Sequence, residues 1–81
     1  MKRASAIQIY PNPAVDFVRI SIPESGNSSQ VKILDLSGQL LFEEEYASSN
    51  PVINISNMKT GMYIIAVLSG EATLRKKLLI K

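Results

Sequence analysis

Ser29-Gln30-Val31-Lys32-Ile33-Leu34-Asp35-Leu36-Ser37-Gly38-Gln39-Leu40-Leu41-Phe42 is the stretch that decides the fold. Val31 and Ile33 fall on one face of an extended chain, with Gln30 and Lys32 opposite. Alternation of this kind is the mark of a strand with one buried face. Asp35-Leu36-Ser37-Gly38 then matches a type I turn, with Asp at its first position and Gly at its fourth. The Asp35 carboxylate can hold such a turn through a backbone N–H. Gln39 to Tyr46 resumes as a strand, so the stretch reads as a hairpin with strands at Ser29 to Leu36 and Gln39 to Tyr46.

The period of two extends in both directions. Ala6 to Tyr10 is a short first strand ended by prolines. In Val15 to Ile22, Val18, Ile20 and Ile22 face one way and Phe17, Arg19 and Ser21 the other. Pro23 to Ser28 and Ser48 to Pro51 are polar loops. Val52 to Ile55 places Ile53 and Ile55 on one side, and Ser56 to Thr60 is too brief for a helix and can form a turn of 3₁₀. Met62 to Leu68 is apolar on both faces and should be the most central strand. Ser69-Gly70-Glu71 turns the chain into a last strand, Ala72 to Ile80. A single sheet of about seven strands would leave one apolar face wet, whereas two packed sheets would not. The predicted fold is all-β, an immunoglobulin-like β-sandwich of about seven short antiparallel strands.

Composition narrows the chemistry. The chain has 81 residues, enough for one domain, and its hydrophobic share of 46% is too high for a disordered chain. Without cysteine no disulfide staples the fold. Without cysteine or histidine, a zinc site or a Cys/His or Ser/His dyad cannot be assembled, and no metal or cofactor is expected. The net charge is +2, but Lys2 and Arg3 supply it; the rest of the chain carries seven basic and seven acidic residues. Nucleic-acid binding calls for a concentrated basic patch, so no such partner is expected. No apolar run approaches the length of a membrane-spanning helix, and Met1-Lys2-Arg3-Ala4-Ser5 lacks the apolar stretch of a signal peptide.

The remaining motifs are turn chemistry. Pro11-Asn12-Pro13 is a rigid corner, since each proline fixes φ and disfavours helix before it. Asn12 is expected to bond the local backbone, and Asp16 to accept backbone donors as the chain re-enters a sheet. In Met58-Lys59-Thr60-Gly61-Met62-Tyr63, Gly61 supplies a backbone angle or close approach closed to other residues. Tyr63 can bury its ring while its hydroxyl bonds a nearby turn. Of Glu43-Glu44-Glu45, only Glu43 and Glu45 share a side, too few oxygens for calcium. A solvated edge facing Arg75-Lys76-Lys77 across strands fits them better. Asp35 has no base or nucleophile near it in sequence, and no residue is predicted to be catalytic.

The order of these motifs resembles the type A C-terminal sorting domain of type IX secretion cargo from Bacteroidetes. The resemblance rests on Tyr10-Pro11-Asn12-Pro13 with Asp16, on Asp35 and Gly38, on Met58, Gly61 and Tyr63, and on the closing Lys76-Lys77-Leu78-Leu79-Ile80-Lys81. Met58 stands where that family usually has Leu, a change that keeps an apolar anchor. The resemblance implies a non-catalytic signal that directs an upstream cargo domain of the same polypeptide through the outer-membrane type IX translocon. The implied partners are the translocon, its shuttle components and a sortase-like peptidase. The implied route runs through the periplasm to surface attachment or release.

On that reading residues 1–5 are an added or linker stretch and residues 6–81 the sorting domain. The chain would then be an excised domain with an added Met1, or a truncated gene product. The last strand is expected to be a sheet edge with unpaired backbone groups, a template for a partner strand or for edge-strand self-association. Lys76, Lys77, Leu78, Leu79, Ile80 and Lys81 are the translocon-docking candidates. The alternative is an immunoglobulin-like or fibronectin-like adhesion or carbohydrate-binding module. Sugar sites favour aromatic platforms, and this chain has no tryptophan, while most of Tyr10, Phe17, Phe42, Tyr46 and Tyr63 read as core.

Overall fold

The alternating pattern becomes seven strands in the computed structural model, which describes residues 7–22, 28–69 and 72–81. They are β1 (Gln8–Tyr10), β2 (Phe17–Ser21), β3 (Ser29–Asp35), β4 (Leu40–Tyr46), β5 (Val52–Asn54), β6 (Gly61–Ser69) and β7 (Ala72–Ile80). Among the described residues there is no helix. One sheet has the order β1-β2-β5 and the other β4-β3-β6-β7, with every neighbouring pair antiparallel. The two sheets form an immunoglobulin-like β-sandwich.

The core is built from the residues that alternation assigns to the inner faces. Ile7, Ile9, Val18, Ile20, Ile22, Ile53 and Ile55 come from the three-stranded side; Val31, Ile33, Tyr63, Ile65, Val67, Leu78 and Ile80 come from the other. Most are β-branched, which suits a pleated surface and leaves little χ1 freedom to lose. Each fully buried Val, Leu or Ile contributes roughly 1.5–3 kcal/mol. At Ala14 the chain leaves the first sheet and forms a parallel bridge with Ile80 of the second.

Residues 56–60 hold a single turn, in keeping with the expectation, in which the Met58 N–H donates to the Ile55 carbonyl three residues back at 3.0 Å. Other expectations change. β6 is interior as expected but shares the centre of its sheet with β3. Its second apolar face, Ile64, Ala66 and Leu68, floors a trough of about 410 Å³ outside the sandwich, flanked by Lys32 and Arg75. Glu43, Glu44 and Glu45 do not face Arg75, Lys76 and Lys77, because β4 and β7 are opposite edges of the sheet. Glu43 instead lies 3.8 Å from Lys32 and accepts from Gln30 at 2.7 Å, while Glu45 accepts from Ser28. Ala6, most of the Pro23 to Ser28 loop, and Gly70 and Glu71 lie outside the described residues.

Candidate functional site

Strand pairing brings the separate motifs to one end of the sandwich. Asp35 stands opposite Tyr63 across β3 and β6, and Tyr63 stands opposite Leu78 across β6 and β7. Gly61 is paired with Ile80, and Ile80 is bridged to Ala14. The Ile55 N–H donates to the Asp16 carbonyl at 2.9 Å and closes the ring of contacts. The proline corner, the Asp35 turn, the Gly61 turn and the C-terminus thus meet, though dozens of residues separate them in sequence.

Each turn is held by its own chemistry. Asp35 Oδ1 accepts from the Ser37 N–H at 2.9 Å, the Ser37 hydroxyl at 2.6 Å and the Gln39 N–H at 2.9 Å. The Gly38 N–H donates to the Asp35 carbonyl at 3.0 Å. Gly38 has φ of +93°, a region where a Cβ collides with its own backbone. The hydrogen bond from the Ser37 hydroxyl, with those from the backbone, holds the Asp35 carboxyl below its ordinary value of 3.8. Gly61 has φ of +156°, and the nearest atom to an added Cβ would be Tyr63 Cε1 at 3.8 Å. Gly61 therefore provides a backbone angle and no close approach. The Tyr63 ring is buried and its hydroxyl donates to the Lys59 carbonyl at 2.5 Å. Met58 packs partly buried against the core.

Asn12 differs from expectation. It does not bond locally but reaches the last strand: Nδ2 donates to the Lys77 carbonyl at 3.1 Å, and Oδ1 accepts from the Leu79 N–H at 3.0 Å. A side-chain amide carries the donor and acceptor of a peptide unit, so Asn12 serves as a strand residue placed against β7. Its neighbours Pro11 and Pro13 have no N–H to offer, which leaves the side chain as the pairing group. Ala14 continues the cover: its N–H donates to the Leu79 carbonyl, and its carbonyl accepts from the Lys81 N–H, both at 2.8 Å. The C-terminal half of β7 is consequently sealed, where an open edge was expected. The Asp16 carboxylate accepts no bond from the described residues; its main-chain carbonyl does the work.

The docking candidates also divide. Leu78 and Ile80 are core residues and cannot present a surface on the folded domain. Lys76, Lys77 and Lys81 are exposed, and Leu79 is half-buried. Of the five aromatics, most of which were expected in the core, Tyr63 is buried, whereas Tyr10 and Phe17 are about half exposed; Phe17 lies with Arg19 on the face opposite Val18 and Ile20, as alternation requires. Sequence reasoning missed that Val15, Phe17, Leu36, Leu40, Leu41 and Met62 leave apolar area exposed around the motif end. The visible signal was an apolar residue inside turn motifs, Val15 and Leu36, where polar residues are the rule.

The model of the family described as secretion system C-terminal sorting domain matches residues 8–81. The chain belongs to this family. An ulvan lyase of Nonlabens ulvanivorans, NLR42, is 34% identical over 71 residues, 86% of this chain and 13% of that protein. An endo-acting ulvan lyase of Formosa agariphila is 32% identical over 80 residues, 96% of this chain and 15% of that protein. Beta-agarase A of Zobellia galactanivorans is 32% identical over 65 residues, 80% of this chain and 12% of that protein. The sorting domain thus spans well under a fifth of each of these curated relatives. The domain is a C-terminal sorting signal for type IX secretion, an address for export to the cell surface or the medium. Among the described residues no group of three His, Cys, Asp or Glu could hold a metal ion.

Proposed function

We propose that the sorting domain is a non-catalytic label whose motif end is read by the outer-membrane type IX translocon. The observation that carries this reading is the meeting of four sequence motifs with exposed Val15, Leu36 and Met62 at one end of a rigid sandwich. The turn residues Asp35, Gly38, Gly61 and Tyr63 act through the scaffold, with Asn12 fixing the last strand. Contact is left to the apolar side chains around them and to Lys76, Lys77, Leu79 and Lys81. β1 starts beside the end of β2, where Gln8 is paired with Ser21, far from the motif end. An upstream cargo domain joined through Ile7 would therefore leave the motif end clear. Transit through the periplasm, shuttle components and cleavage by a sortase-like peptidase ahead of β1 complete the route.

The test is fusion of this chain behind a periplasmic reporter in a host with the type IX machinery. The reporter should reach the cell exterior, and remain periplasmic in a host lacking the translocon. A folded fusion that stays in the periplasm of the competent host contradicts the reading.

A further inference from the structure

Among the described residues, the edge strand β4 and the uncovered first half of the edge strand β7 are unpaired and carry opposite charge, Glu43-Glu44-Glu45 on β4 and Arg75-Lys76-Lys77 on β7. We infer that they are complementary docking surfaces for a second copy of this chain, joined head to tail into one continuous antiparallel sheet. The join takes up Lys76 and Lys77, which the translocon reading also uses, so it describes the domain while it is not engaged by the translocon.

Backbone direction supports it. Leu79 and Lys81 turn their main-chain groups outward to Asn12 and Ala14. Hydrogen-bonding direction alternates along a strand, so Thr73, Arg75 and Lys77 also turn outward. On β3, the Asp35 N–H donates to the Gln39 carbonyl, so the odd-numbered residues of β3 turn toward β4. Their partners Phe42 and Glu44 turn inward, which leaves Glu43 and Glu45 facing out. Because β4 runs parallel to β6 and antiparallel to β7, a copy added in the same orientation meets β7 antiparallel. Setting Glu45 against Arg75 also sets Glu43 against Lys77 and Glu44 against Lys76.

Side-chain direction agrees. Glu43 and Glu45 lie in the rows of Lys32 and Gln30, on the outer face. Arg75 and Lys77 lie in the rows of Ala66 and Ile64, on the same face. Glu44 and Lys76 share rows with buried Val31 and Ile65, on the inner side. One register therefore fits the ladder at Arg75 and at the Lys77 N–H, the face and three opposite-charge pairs. Directly opposed opposite charges favour a strand pair. Asn12 and Ala14 set the limit of the join: Asn12 already holds the Lys77 carbonyl, so the outward groups left to a partner strand are those of Thr73 and Arg75 and the Lys77 N–H. Since each copy keeps one free edge of each sign, the contact does not close on itself and chains can grow.

Sedimentation equilibrium of the purified domain tests this. A join this short belongs with weak contacts, so the mean mass should rise between about 10 µM and about 1 mM. It should fall back when salt is raised to about 0.5 M. E44K/E45K and R75E/K76E should each be monomeric, and their equimolar mixture should regain the mass of the unaltered chain, because each supplies the edge the other lost. In the unaltered chain, the amides of Glu43, Glu45, Arg75 and Lys77 should gain exchange protection as concentration rises, which decides the matter if a variant melts poorly. A monomer at every concentration overturns the inference. So does an oligomer indifferent to both charge reversals, which would indicate exchange of a whole strand.

Discussion

Asp35 Oδ1 accepts its three hydrogen bonds more strongly as part of a carboxylate than of a neutral acid. Its folded-state pKa lies below the ordinary 3.8, so its contribution is present above that value and is lost as pH falls through the lower, folded one. Asp35→Asn should melt below the unaltered protein near pH 7, and the gap between the two melting curves should close as acid protonates the folded Asp35. A gap that persists in acid would assign the residue a role other than turn acceptor. Asn12 makes a second residue-scale case. Asn12→Ala removes two hydrogen bonds, each worth about 0.5–1.5 kcal/mol net, and uncovers part of the β7 edge. Hydrogen exchange at the Leu79 amide should accelerate before the core amides respond; equal acceleration everywhere would mean that Asn12 stabilises only globally. The Asp35 turn was legible in sequence because its donors lie within four residues. Asn12 was not, because its partners are 65 and 67 residues away and only the folded sheet brings them near.

Along β7, neighbouring leucines have opposite fates. Leu78 is fully buried, whereas Leu79 is half-buried and paired with Met62. Leu78→Ala should cost about 2–5 kcal/mol, and Leu79→Ala less than about 1 kcal/mol. Chemical denaturation checks both, and equal losses would contradict the strand register. Removing residues 78–81 would strip Leu78 and Ile80 from the core, so truncation reports on folding before it reports on docking. Strand positions were readable because alternation is local: Val18, Ile20, Val31, Ile33, Ile53 and Ile55 are buried as their spacing requires. Strand neighbours were not readable. The same alternation allows β4 beside β7, and only the sheet order separates Glu43 from Lys77. The sealed half of β7 was hidden for the same reason, since edge status belongs to a sheet and not to a strand.

The whole molecule is polar along its long strands. One end gathers the sequence motifs and exposed Val15, Leu36 and Met62; the other carries Ala47, Ser48, Ser49 and Asn50. A label read at one end must tolerate change at the other. The most direct measurement compares export of a reporter fused to V15S/L36S/M62S with export of one fused to A47K/N50K, alongside the melting curve of each domain. These are exposed positions, so both should fold. The motif-end variant should lose export by about tenfold or more, as removal of a few apolar anchors does at other interfaces, and the far-end variant should be exported normally. Full export of a folded V15S/L36S/M62S fusion would contradict the claim that this surface is what the translocon reads.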